Sequence, residues 1–107
     1  MDAGSVDRVF GALGDSGRRE LVREISARGS ATATELAAGL PVTRQAVAKQ
    51  LAALADAGLV AGVRRGRETR YELTPAPLGD AMAWMAEVGA GWDERLEALR
   101  EHLRPKP

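Results

Sequence analysis

Apolar residues recur along this chain with a helical period over most of its length and with an alternating period over one short stretch. Val6, Val9, Phe10 and Leu13 fall on one face of a first helix, which Gly14 closes. Asp15 or Ser16 caps a second helix, with Leu21, Val22 and Ile25 inward and Arg18, Arg19, Glu20, Arg23 and Glu24 outward; Gly29 is placed to end it as a left-handed cap. Thr32-Ala33-Thr34-Glu35 has the spacing of a capping box, in which the Thr and Glu side chains satisfy each other's backbone donors. It opens a short third helix with Leu36, Ala37 and Leu40 inward. Pro41 then disfavours helix at Leu40, and Thr43 supplies an N-cap for a fourth helix, TRQAVAKQLAAL, whose Val47, Leu51 and Leu54 form one stripe at i, i+4, i+7.

After Ala57-Gly58 the period changes. Leu59 to Arg65 and Thr69 to Leu73 read as two strands joined at Arg65-Gly66, a register that sets Val60 opposite Tyr71 and Gly62 opposite Thr69. Thr74-Pro75 starts a last helix, with Pro at its first turn. Its apolar stripe, Leu78, Met82, Met85, Val88, Trp92, Leu96, Leu99 and Leu103, is spaced by 4, 3, 3, 4, 4, 3 and 4 residues. Gly89 and Gly91 predict a bend or break at its centre, Met82 and Met85 read as core, and Pro105-Lys106-Pro107 is a frayed tail. The expected architecture is mainly α with a small β-hairpin, in the order α-α-α-α-β-β-α. A single domain spans 1–107, with a helix-turn-helix at 32–57, a wing at 59–73 and a long C-terminal helix at 75–103.

The fourth helix is the candidate recognition element. Opposite its apolar stripe stand Gln45 and Lys49, flanked by Ala48 and Ala52, so the outward face is small and sparsely charged. Small residues let a helix lie close to another surface, and Gln suits adenine edges in a major groove. Arg44 is within reach of phosphate or guanine at the helix start, while Asp56 restricts DNA contact to the first turns. Arg64, Arg65, Arg67 and Arg70 crowd the hairpin that follows. A helix-turn-helix leading directly into an arginine-tipped hairpin is a winged helix. The bland alternatives are a solvated helix face and a charged edge that resists aggregation.

Net charge is zero, from 15 basic and 15 acidic residues, but its distribution is uneven. Segment 41–73 carries six basic residues against three acids, while 1–40 has five against six and 74–107 has four against six. The basic excess therefore surrounds the candidate recognition helix. Aromatic residues make up only 4% of the chain, so the core is thin and open to completion by a partner subunit.

These pieces together resemble the ArsR-type winged-helix transcriptional repressors. The likeness runs through LGDSGRRELV (13–22), ATELAAGL (33–40), TRQAVAKQLAAL (43–54), AGLV (57–60), RRGRETRYEL (64–73) and the later Trp84 and Trp92. The chain departs from common members at Ser16-Gly17, where Pro-Thr is frequent, and at Gln50, where His is frequent. The resemblance implies a homodimer through the first and last helices, to which Val6, Val9, Phe10, Met85, Trp92, Leu96, Leu99 and Leu103 are assigned. It also implies a recognition helix in the major groove of double-stranded DNA, with Thr43, Arg44, Gln45 and Lys49 at that surface and Arg64, Arg65, Arg67 and Arg70 on the flanking backbone. Repression at a palindromic operator is the implied role.

Other chemistries have little to stand on. With no cysteine, one histidine and no Gly-rich phosphate loop, the commonest catalytic constellations are absent, and no catalytic residue is assigned. Metal-sensing members use cysteines on the recognition helix, or acids and histidines on the last helix. Here AVAKQL (46–51) offers no ligand, and His102, near Asp93, Glu97 and Glu101, brings one good ligand per subunit. No metal and no cofactor are expected. Trp84 and Trp92 are expected to pack in the helical dimer interface; lining a ligand pocket is the alternative. No apolar run approaches a membrane span and MDAGSVDRVF has no signal pattern, which points to the cytoplasm. Two alternative functions stay open: a winged-helix module that binds an acidic protein, and a regulator gated by a metal or small molecule, with its effector unknown.

Overall fold

Local signals at the ends of each apolar stripe delimit the elements. A computed structural model describes residues 3–105, so Lys106 and Pro107 of the expected tail lie outside the described residues. Five helices and one hairpin follow in order: α1 (Ala3–Leu13), α2 (Ser16–Arg28), α3 (Ala33–Ala38), α4 (Arg44–Asp56), β1 (Val60–Arg65), β2 (Glu68–Leu73) and α5 (Pro75–Leu103). Asp15 is the N-cap of α2, accepting the Arg18 N–H at 3.1 Å. Thr32 and Glu35 form the full capping box at α3, at 3.1 and 2.9 Å. Thr43 caps α4 by accepting the Ala46 N–H at 3.1 Å. Each such cap contributes about 1 kcal/mol by satisfying donors that helix geometry leaves orphaned.

The core is a single cluster of branched aliphatics: Val9 from α1, Leu21 and Ile25 from α2, Leu36 from α3, Val47, Leu51 and Leu54 from α4, and Leu59 at the entry to the hairpin. Burying each of these side chains favours folding by about 1.5–3 kcal/mol. Val6 and Val9 belong to this interior. Both are enclosed by their own chain, so they cannot supply the intersubunit surface expected of them; Phe10, on the neighbouring face, remains partly open. The last turn of α1 contains no basic residue, and two arginines from α2 take that role. Arg18 donates to the carbonyls of Ala12 and Gly11, and Arg19 to that of Leu13 at 2.6 Å. These two arginines, expected to face outward, thereby serve the C-terminal carbonyls of α1.

The hairpin register differs from expectation by two residues. Val60 pairs with Leu73, Gly62 with Tyr71, Arg64 with Thr69 and Arg65 with Glu68. The loop is therefore Gly66-Arg67 rather than Arg65-Gly66. Gly66 has φ 62° and is the loop's sole residue in the left-handed region, which is the requirement of a turn with glycine at its first central position. A shift of two preserves which side chains share a face. The Tyr71 ring lies over Gly62, where an added Cβ would stand 3.4 Å from the ring and 3.0 Å from a Thr69 methyl. The root of β2 is anchored by an antiparallel bridge to the α2–α3 connection: the Ala31 N–H donates to the Tyr71 carbonyl at 3.1 Å, and the Tyr71 N–H to that of Ala31 at 2.8 Å.

α5 is one unbroken helix through Gly89 and Gly91, so the expected break is absent. Two glycines cost about 2 kcal/mol of helix propensity in total, which the intact ladder on both sides tolerates. Met82 and Met85 are exposed rather than core. The helix meets α1 through its first turns, with Phe10 and Trp84 edge to face at 5.5 Å, and then runs beyond the remaining elements. The Cα radius of gyration is accordingly 19.0 Å, where a compact chain of this length has about 13 Å. Among the described residues no helix is long and apolar enough to cross a membrane.

Candidate nucleic-acid interface

The outward face of α4 and the near face of the wing look onto one groove. Thr43 holds the start of α4 by its cap, and the next side chains, Arg44, Gln45, Ala48 and Lys49, are all exposed. The groove, about 670 Å³, is bounded by Thr32 to Glu35 on α3, by Arg44 and Ala48 on α4, and by Arg64, Arg67, Glu68 and Thr69 on the wing. Arg44 spans its floor, donating through Nε to the Thr34 hydroxyl at 3.0 Å.

Strand alternation sorts the wing arginines. Arg64 shares a face with Thr69 and Tyr71, the face that lines the groove, and donates to the Gly66 carbonyl at 3.0 Å. Arg67 occupies the tip and makes no hydrogen bond or ion pair among the described residues. Arg65 lies on the reverse face and pairs with Glu72 at 3.6 Å. Arg70, also on the reverse face, is engaged by Ser30, Glu35 and Glu68. Arg70, expected on the phosphate-facing set, is thus paired with two carboxylates and has four of its five N–H donors occupied within the protein.

The result is a separation of charge. Among the described residues Arg44, Arg64 and Arg67 line the groove without an acidic partner and Lys49 stands exposed on the same helix as Arg44, whereas Arg65 pairs with Glu72 on the reverse face of the wing and Arg70 with Glu35 and Glu68, which themselves border the groove. Glu35 lines the same groove, but two contacts hold its carboxyl below the usual range: chiefly the Thr32 backbone N–H, then Arg70. Asp15 is lowered too, first by the Arg18 N–H and then by the Arg18 and Arg19 charges. Gln50, at the edge of α4, accepts from Arg18 Nη1 at 3.2 Å and so ties α4 to the α1–α2 corner. Ser30, Thr34, Glu35 and Gln50 were invisible as partners in the pattern of the chain, because each meets an arginine 10 to 40 residues away. Among the described residues no cluster of three or more His, Asp or Glu side chains is arranged to hold a metal ion.

A two-helix unit whose second helix presents a polar face beside a basic hairpin defines the winged helix-turn-helix class of DNA-binding proteins. Comparisons with known proteins agree. The helix-turn-helix domain family matches residues 13–63. The chain is 46% identical over 70 residues to the HTH-type transcriptional regulator YuzN of Bacillus subtilis, covering 60% of this chain and 76% of that protein. An ArsR-like transcriptional regulator from Rhodococcus sp. RHA1 has a solved structure that matches with a TM-score of 0.78 at 40% identity, covering 95% of each chain. A homodimeric winged helix-turn-helix DNA-binding domain from Mycobacterium bovis matches with a TM-score of 0.58 at 26% identity, covering 95% of this chain and 88% of that one. This chain belongs to the ArsR-type winged helix-turn-helix transcriptional regulators. It is a DNA-binding regulator and not an enzyme.

Proposed function

We propose that the protein is a homodimeric repressor that binds a palindromic operator in the cytoplasm, with two recognition helices spaced by about one turn of DNA. The observation that carries the DNA reading is the groove flanked by α4 and the wing, with its unpaired cations on both sides. In this reading residues 32–57 form the helix-turn-helix, 59–73 the wing and 75–103 the dimerisation helix. Gln45 reads a base edge, and Arg44 and Lys49 contact bases or adjoining phosphates. Arg64 and Arg67 hold the flanking backbone. Thr43 sets the helix start, and Arg65 lies close enough to the tip to add general attraction once it leaves Glu72.

The dimer reading is supported by the exposed stripe of α5, by Phe10 beside it, and by the homodimeric relative. Met85, Trp92, Leu96, Leu99 and Leu103 remain 44–69% exposed. Among the described residues, nothing beyond the helix's own adjoining backbone and the neighbouring residues lies within 4 Å of a Cβ added at Gly89 or Gly91, so no internal packing calls for glycine there; the close crossing of a second α5 would.

The test is fluorescence anisotropy of chelator-treated protein on a duplex from its own upstream region, beside a scrambled duplex and a salt series. A preference of about 10³-fold or more with a steep salt slope supports the reading. Equal, weak binding to both duplexes refutes metal-free operator binding; release of the preferred duplex by a metal or small molecule would identify a gated regulator.

A further inference from the structure

Four of the five N–H donors of the Arg70 guanidinium are engaged within the protein. Its Nε donates to the Ser30 hydroxyl at 3.0 Å, and its Nη2 to the Ser30 carbonyl at 3.3 Å and to Glu35 Oε1 at 2.9 Å. Its Nη1 reaches Glu68 Oε2 at 3.4 Å. These partners come from three places: the α2–α3 connection, the first turn of α3, and the tip-side end of β2. The side chain is only 24% exposed, on a hairpin half of whose residues are exposed. The same Glu35 oxygen also accepts the Thr32 N–H at 2.9 Å, so one atom closes the α3 capping box and anchors the wing.

A second point of attachment matters for geometry. The Ala31–Tyr71 bridge fastens the middle of β2 at a single residue pair, and buried Leu59 and Val60, with the Thr74 N–H donating to the Leu59 carbonyl at 2.9 Å, fix the root of the hairpin; none of these contacts lies on the tip side of Tyr71. Arg70, one residue closer to the tip, adds a tie from the strand to the α2–α3 connection and α3 beyond those contacts. We propose that Arg70 is a positioning residue, a clamp that holds the wing at a set angle to the helix-turn-helix and thereby fixes the span between Arg64 and Arg67 on one side of the groove and Arg44 and Lys49 on the other. This inference rests on the DNA-binding reading above and assigns Arg70 a role other than phosphate contact.

Two substitutions test it. Arg70→Lys keeps the charge but loses the planar fork that serves several acceptors at once. Glu35→Gln keeps an oxygen able to cap Thr32 but removes the anion that holds Arg70. Each should weaken binding to the preferred duplex by about three- to tenfold, and the double variant should be no worse than either single one, because both break one clamp. On the free protein, ¹⁵N relaxation should show the amides of 64–68 gaining fast motion in both variants while those of α4 stay rigid. Parent-like binding by Arg70→Lys overturns the clamp, since charge alone would then suffice. Tighter binding by Glu35→Gln overturns it as well, because that is the signature of an acid removed beside a direct phosphate contact. If the parent protein shows no duplex preference, the functional reading fails by itself, and the relaxation of the wing amides still decides whether Arg70 clamps it.

Discussion

In α4 the stripe of Val47, Leu51 and Leu54 is enclosed on every side, whereas in α5 the stripe from Met82 to Leu103 stands open, with Trp92 58% and Leu103 69% exposed. The two stripes have the same helical period and similar residue types. What differs is the number of elements around them. α4 lies among α2, α3 and the hairpin, while α5 meets α1 near its start and then extends over residues that no other element reaches. Periodicity thus reports that a helix has something to bury and is silent on whether its own chain buries it. An apolar row running for about 30 Å along a surface is more than a monomer commonly exposes, and it marks where a partner belongs.

The sharpest way to break that comparison is to damage each stripe in turn. Leu51→Ala should cost about 2–5 kcal/mol of stability by leaving a cavity in the core, read as a lowered urea midpoint at every protein concentration. Leu99→Glu places a charge in the proposed interface and should weaken dimerisation by at least about 100-fold in sedimentation velocity. It should also abolish the concentration dependence of melting while leaving far-ultraviolet helicity largely intact. A dimer that survives this change removes the distal stripe from the interface.

The opposite face of α4 should respond in neither assay. Gln45→Ala is expected to leave melting and assembly unchanged and to narrow the gap between preferred and scrambled duplexes by about 1–3 kcal/mol. Equal losses on both duplexes would exclude base readout by Gln45. Smaller still, Arg67→Ala should lower the salt slope by about one and weaken all sequences alike, while Arg65→Ala, already paired with Glu72, should do less.

Acid should loosen the cap-built head of the molecule. Glu35 and Asp15 hold their protons less tightly in the fold than ordinary Glu and Asp carboxyls do, chiefly because capping N–H groups stabilise the anion. A depressed carboxyl stabilises the fold fully above its unfolded value, and that contribution fades as pH falls through the folded one. The fall in melting temperature between about pH 5 and pH 3 should therefore be shallower in Glu35→Gln and Asp15→Asn than in the parent; equal slopes would assign the acid sensitivity to other groups.

The parts of the fold that could be read along the chain are those whose causes lie within a few residues. The caps at Asp15, Thr32 and Thr43 each act over three residues, and the stripe of α4 is complete in eight. The hairpin register was legible as well and was misplaced: glycine at the first loop position selects Gly66-Arg67, not Arg65-Gly66. Helix propensity alone predicts a bend or break at Gly89 and Gly91, whereas the long, regular ladder on either side of them carries α5 through.

For the candidate site, the chain order already contained the polar face of α4 and the basic hairpin beside it. It could not sort the hairpin's arginines. Arg64 and Arg67 remain without acidic partners while Arg65 and Arg70 are neutralised, and this follows from where Glu72, Glu35 and Ser30 come to rest. In the same way Val9 and Leu99 are both stripe residues of helices assigned to one interface, yet the first lies inside the chain and the second outside it. Helix starts, stripes and turns are governed by torsions and hydrogen bonds between near neighbours, so the order of residues determines them. Which charge is cancelled and which apolar face stays bare depends on the hairpin's register, as for Arg65 and Glu72, and on contacts such as those of Arg70 made across 35 to 40 residues, which exist only once the elements have docked.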